Sequence, residues 1–329
     1  MGPESLAQVL SPLNALFSTV DQTDLLIGID QPDDAAVYQV DEKTAIIATL
    51  DFFAPVVDDP WTYGAIAAAN AMSDVYAMGG EVVLALNIAG FPEDLEADVV
   101  STIFRGAAEK VLEAGGVIGG GHTVWDEEPK FGLSVLGKVD PNKMFLKSLV
   151  KPNDYLYITK PLGTGLILTA ARNSTTKVMG QEEAVESMLM LNRHASHLVS
   201  KIGASAATDI TGFGLLGHLW EMLSSSGCRA VINSESIPLL AGAHEAAKTG
   251  VSTGGAARNR KWLEEHLTFA SSVSLELQEV CFDPQTSGGL IIAVPEEKVV
   301  DFEQICTEDG QDYFLIGRAQ KGDPHLQIA

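Results

Sequence analysis

Basic side chains are scarce in this sequence and almost missing from its first third. Among 329 residues there are 21 Lys and Arg against 44 Asp and Glu, a formal net charge of −23. Residues 1–104 hold one basic residue, Lys43, beside seventeen acidic ones, and the first arginine is Arg105. That balance excludes a basic surface for nucleic acid. It also excludes Lys or Arg clamps on a phosphate within this part of the chain. An anion bound there needs backbone N–H groups or metal ions as the bridge. Solvated carboxylates kept for solubility account for most of the seventeen.

Cysteine is scarce too. Cys228, Cys281 and Cys306 are odd in number and lack metal-ligand spacing. Buried, idle thiols in a reducing cytosol are the expectation. No apolar run of about 18 residues is present, so no membrane span is expected. The N-terminus has no basic stretch followed by an apolar one, so no secretory signal is read. No Cys precedes residue 228, no Walker A sequence occurs, and "GGGH" (119–122) is not a G-x-G-x-x-G.

What is present suits two domains: 329 residues with 46% hydrophobic content fill more than one core. The stretches 35–40 and 44–53 read as a β-hairpin. Asp59-Pro60 reads as the cap and first turn of a helix reaching about Met78 and stopped by Gly79-Gly80. Strands are expected at 82–91 and 130–139, and a helix over 94–116. Residues 140–155 read as the crossing to a second domain. Residues 155–167 read as a strand, a turn and a helix start; helices are expected at about 164–172, 181–202, 214–226 and 297–310, with further strands at 228–237, 288–295 and 313–320. A short helix is expected at 5–17. The fold class is α/β (α+β), with helices on one face of each sheet. The domains span 1–140 and 150–329.

The helix at 59–80 carries Asn70 and Asp74 four residues apart, on one face. Asp is a poor mid-helix residue. Asp33-Asp34, Asp51 and Asp209 each stand beside an abrupt local change. They are either ordinary cap and turn residues or a converging set that needs a cation such as Mg2+. "GGGH" (119–122), "DITGFG" (209–214) and "DPQTSGG" (283–289) are either tight turns or places where backbone approaches a phosphate. His194 and His197, three apart on a predicted helix, lack a nearby third ligand.

Eight stretches in order carry a resemblance: "DDAAVY" (33–38), "TLDFFAPVVDDP" (49–60), "AAANAMSDVYAMGG" (67–80), "GGGHT" (119–123), "TKPLGTG" (159–165), "TDITGFGLLGH" (208–218), "IPLL" (237–240) and "DPQTSGGL" (283–290). On these the chain resembles the selenophosphate synthetase (selenide, water dikinase) family, within the aminoimidazole ribonucleotide synthetase-like superfamily. The resemblance implies two domains of that fold, with the N-terminal domains of two chains pairing into a shared β-barrel. It implies a cytoplasmic enzyme making selenophosphate, AMP and phosphate from ATP, selenide and water, with Mg2+ as cofactor. Selenide arrives either free or from a selenium-delivery protein. Matched by motif, Asp34, Asp74 and Asp209 are the metal ligands. Gln31, Pro32, Asp33, Asp51, Asn70, Asp74, Gly121, His122 and Thr123 contact ATP, the last three as a loop that a partner subunit can supply.

The family also has a glycine-rich N-terminal segment with a catalytic Cys or selenocysteine and then a Lys. This sequence shows neither, and "MGPESLAQVLSPL" resembles the helix that follows. Either those residues lie before Met1, because a selenocysteine codon is read as a stop and the next Met taken as the start, or the chain is a variant without the nucleophile. An intact remaining site favours the first. Two alternatives are carried: a non-catalytic nucleotide-binding homologue, and another ATP-dependent enzyme of the same superfamily.

Overall fold

The computed structural model describes residues 23–29 and 33–329, together with Val9, Pro12 and Leu13. Gln31 and Pro32 lie outside the described residues, as does most of the helix expected at 5–17.

The N-terminal sheet has six strands: β1 (Leu25–Ile27), β2 (Ala36–Asp41), β3 (Thr44–Phe53), β4 (Glu81–Phe91), β5 (Val117–Trp125) and β6 (Lys130–Val139), in the order β1-β2-β3-β6-β4-β5. Helices α1 (Pro60–Ala77) and α2 (Ala97–Glu113) follow β3 and β4. The hairpin is as read, with Val37 opposite Ile47. Asp59 caps α1 by accepting the Thr62 N–H at 2.8 Å. The small residues of α1 serve close packing. A side chain on Gly64 would meet the Ile103 carbonyl, and one on Gly106 the Trp61 carbonyl, at 1.9 and 2.1 Å. The Ala-rich helix is therefore buried on nearly all sides, between the sheet, α2 and the second domain.

The second domain has seven strands: β7 (Tyr155–Ile158), β8 (Ala206–Asp209), β9 (Cys228–Ile232), β10 (Leu267–Phe269), β11 (Leu290–Val294), β12 (Phe314–Lys321) and β13 (His325–Ile328), in the order β10-β13-β9-β12-β7-β11-β8. Its helices are α3 (Thr164–Arg172), α4 (Gln181–Leu189), α5 (Arg193–Ile202), α6 (Gly214–Ser226), α7 (Ala243–Lys248), α8 (Gly254–Leu263), α9 (Leu275–Phe282) and α10 (Val299–Asp309). Ala77 and Phe145 pack into a core shared with Tyr157, Leu198 and Leu290, which joins the domains. Both sheets mix parallel and antiparallel pairs.

Two local expectations are corrected. The stretch 181–202 is not one helix: Met190 is extended and separates α4 from α5. The "GGGH" segment is not a turn but part of β5, parallel to β4. Its glycine content imitates a turn, but Gly121 is needed because a Cβ there would lie 2.3 Å from the Asn87 carbonyl.

The outward face of the N-terminal sheet is apolar and open. Tyr38, Leu50, Phe52, Leu86, Leu136 and Val124 are exposed there. β5 is an edge strand, exposed along nearly all of its length.

Candidate metal and nucleotide site

Period-two alternation sends Thr49 and Asp51 of β3 toward α1, and Leu50 and Phe52 away from it. One helical turn separates Asn70 from Asp74 on the facing side of α1. Asp209 ends β8, paired with Leu290 of β11. Asp33-Asp34 precede β2. These placements bring ligand oxygens of Asp34, Asp74 and Asp209 within 4.8 Å of one another. Among the described residues this is the one group of three or more His, Cys, Asp or Glu placed to share an ion. The convergence predicted for Asp34, Asp74 and Asp209 is present, across both domains.

Hydrogen bonds hold one side of Asp74, Asp34 and Asp51. Thr49 Oγ1 donates to Asp74 Oδ2 at 2.5 Å and Thr208 Oγ1 to Asp34 Oδ1 at 2.7 Å. Asn70 Nδ2 donates to Asp51 Oδ2 at 2.7 Å, so Asn70 orients Asp51. Asp34 Oδ2 and Asp209 Oδ2 are buried with no hydrogen-bond partner among the described residues. Unpartnered buried carboxylate oxygens, several together, are the donor set of a hard divalent cation. The residues fit Mg2+.

The electrostatics agree. Burial raises Asp51 to about 6, and the Asp209 charge adds to it against the opposing Asn70 hydrogen bond. Burial and then Asp34 raise Asp209 to about 6. Burial, followed by Asp209 and Asp51, pushes Asp74 well above the carboxylate range. Asp33 is raised to about 7 by burial and Asp34, against Lys147. A carboxylate whose folded pKa exceeds its unfolded value stabilises the fold below the unfolded pKa and loses that contribution as pH rises through the folded one. Without divalent metal, thermal stability is therefore expected to fall between pH 5 and 8. Mg2+ should raise the Tm more at pH 8 than at pH 5. Calorimetry in EDTA and in Mg2+ checks this, and a metal-free Tm that climbs across the range would refute it.

Two second-domain motifs serve the site structurally. Asp283 Oδ2 accepts the Leu166 N–H at 2.9 Å, and Gln285 Oε1 accepts those of Gly163 and Thr164 at 2.9 and 3.1 Å. Three N–H donors at the start of α3 are thus taken by "DPQTSGG". Ser287, at φ 48°, donates its N–H to Asn70 Oδ1 at 2.8 Å, and its carbonyl accepts from Lys160 Nζ at 2.8 Å. The break before α5 lets Asn192 Nδ2 reach Ser73 Oγ and the Gly288 carbonyl, both at 2.8 Å.

Gly121, His122 and Thr123 do not join the cluster within one chain. They lie on β5, three strands from Asp51 in the sheet order, and His122 pairs in register with outward-facing Ile88. His197 binds Glu81 across the domain boundary rather than a metal. The cysteines are buried. Burial raises Cys281 to about 12 and Cys306 to about 11, so neither offers a thiolate near neutrality.

Sequence reading missed Lys147. It lies in the domain crossing, yet its Nζ is 2.8 Å from Asp34 Oδ1 and 3.3 Å from Glu221 Oε2. A lone lysine in a connecting stretch carries no local signal. The paucity of cations in residues 1–104 is thus offset by one supplied from outside them.

Residues 32–139 match the AIR synthase related protein, N-terminal domain, and residues 151–328 its C-terminal domain. The chain is 46% identical to the selenide, water dikinase of Caldanaerobacter subterraneus subsp. tengcongensis, over 98% of this chain and 92% of that protein. It is 44% identical to that of Clostridioides difficile, over 100% and 94%. Among solved structures, AaThiL complexed with AMPPCP and TMP superposes with a TM-score of 0.72 at 17% identity, covering 99% of this chain and 93% of that one. At that identity the likeness concerns the fold.

Proposed function

The chain belongs to the selenide, water dikinases of the AIR synthase related family, and from that premise we propose that the Asp34–Asp74–Asp209 cluster holds Mg2+ and through it ATP. It is a phosphotransferase that makes selenophosphate from ATP, selenide and water, releasing AMP and phosphate. The observation that carries the site is the convergence of three distant carboxylates, two of which, Asp34 and Asp209, have an unpartnered buried oxygen.

Mg2+ bound there supplies charge that offsets the triphosphate and the charge developing in phosphoryl transfer. The chain's own residues do the positioning. Thr49 and Thr208 orient Asp74 and Asp34. Asn70, locked to the Ser287 turn, holds Asp51 toward the nucleotide. Asp33 and the adjoining Gln31 and Pro32 border the nucleotide in this reading. Selenide is itself the nucleophile, so orientation and exclusion of water are the remaining tasks.

A homodimer completes the proposal. The open apolar sheet face and the unpaired β5 edge are where a second copy would seat, bringing Gly121, His122 and Thr123 to the shared boundary. Three unpaired thiols suit a cytosolic setting. No described helix is long and apolar enough to cross a membrane. Selenide from a delivery protein is compatible with this site.

The decisive assay is nucleotide analysis after incubating the full gene product with Mg-ATP and selenide. Selenide-dependent AMP is expected. ADP as the sole nucleotide product would overturn the dikinase reading.

A further inference from the structure

We infer that Lys147 is a positioning residue for the metal cluster: it anchors Asp34 by one carboxylate oxygen and leaves the other free for the cation. This rests on the reading of Asp34, Asp74 and Asp209 as the Mg2+ site.

The residue grips the Asp33-Asp34 pair twice. Its backbone N–H donates to Asp33 Oδ2 at 2.9 Å, and its Nζ lies 2.8 Å from Asp34 Oδ1. Thr208 Oγ1 donates to that same Asp34 oxygen, while Oδ2 finds no partner among the described residues. The Lys147 side chain is only 9% exposed. It therefore cannot be a loosely solvated surface cation.

A positive charge beside a metal site could equally repel the metal. Glu221 decides the sign. Its Oε2 lies 3.3 Å from Lys147 Nζ and 3.2 Å from His218 Nδ1. His218 Nε2 accepts the Thr211 N–H, which assigns its proton to Nδ1, facing Glu221. Burial works to raise Glu221, but its contacts with His218 and Lys147 prevail and hold it at about 2. The Lys147 charge is thus matched by an ionised partner, and its repulsion of a cation is largely cancelled. Its hold on Asp34 is not. Lys160 makes the contrast: also buried, it spends donors on the Met190 and Ser287 carbonyls and anchors no carboxylate among the described residues.

The experiment is Mn2+ binding without nucleotide, followed by loss of the free-ion electron paramagnetic resonance signal. Asp74→Asn serves as the control that removes a ligand. Lys147→Met is expected to weaken Mn2+ binding by about tenfold or more, the usual scale for outer-shell partners. Lys147→Arg should return it to within about threefold of the unaltered protein. Lys147→Gln, closer in polarity, takes the place of Lys147→Met if the latter does not fold. Unchanged or tighter binding by the Met or Gln variant, with Asp74→Asn defective, overturns the Lys147 inference alone. Binding by Asp74→Asn equal to that of the unaltered protein, or no Mn2+ binding by the unaltered protein, overturns the metal-site reading and this inference with it.

Discussion

Asp74→Asn is expected to reduce magnesium-dependent ATP binding by at least about 100-fold, more than an outer-shell loss would. Asp74 is the ligand on α1, and its oxygen lies within 4.8 Å of those of Asp34 and Asp209. An amide of the same shape keeps the Thr49 contact but withdraws the charge a hard cation requires. The same substitution should leave the metal-free Tm unchanged or higher. Burial and the neighbouring Asp209, Asp51 and Asp34 all disfavour an ionised Asp74, so replacing it relieves rather than creates strain. Isothermal titration and calorimetry on one sample read both signs. Lost binding accompanied by a Tm several degrees lower would make Asp74 a structural residue instead, and unchanged affinity would remove it from the site.

The second large effect concerns the open sheet face. Phe52→Glu combined with Leu86→Glu is expected to convert the proposed dimer into a monomer, read by sedimentation velocity. Both side chains point away from α1 and α2 and are exposed at 48% and 40%. They stand on β3 and β4, either side of the shared neighbour β6, which itself exposes Leu136. A contiguous apolar face of this kind is costly to leave in water and favourable to cover, at about 25 cal/mol per Å2 buried. Two buried, unpaired carboxylates would cost far more than the apolar contacts they replace. Because neither residue enters the chain's own core, folding should persist. A dimer that survives both substitutions would place the subunit contact elsewhere.

The helix at 59–80 shows how far local pattern carries. The Asp59-Pro60 start is a short-range device, and both residues act as read. The four-residue spacing of Asn70 and Asp74 put them on one face, and both point to the same cluster of carboxylates. The glycine-rich stretch at 119–123 shows the opposite. Its composition imitates a turn, yet pairing with β4 makes it a strand, and that pairing depends on residues more than thirty positions away. The "DPQTSGG" stretch reads either as a tight turn or as backbone approaching a phosphate, and its Asp283 and Gln285 instead cap α3, over 110 residues earlier in the chain.

Composition alone dictates the chemistry required: with one basic residue before Arg105, this part of the chain can hold a triphosphate only through metal or backbone. Periodicity and caps also determined most helices and strands, because both act over a few residues. Which carboxylates meet was legible only through the family resemblance; physically it is set by long-range pairing, since β8 reaches the cluster through β11 and Asp209 lies 175 residues from Asp34. The tertiary structure alone placed Lys147 against Asp34, where burial makes one cation matter. A side chain's charge is written in the sequence, but its desolvation and its partners are set by long-range packing, and those fix what the charge does.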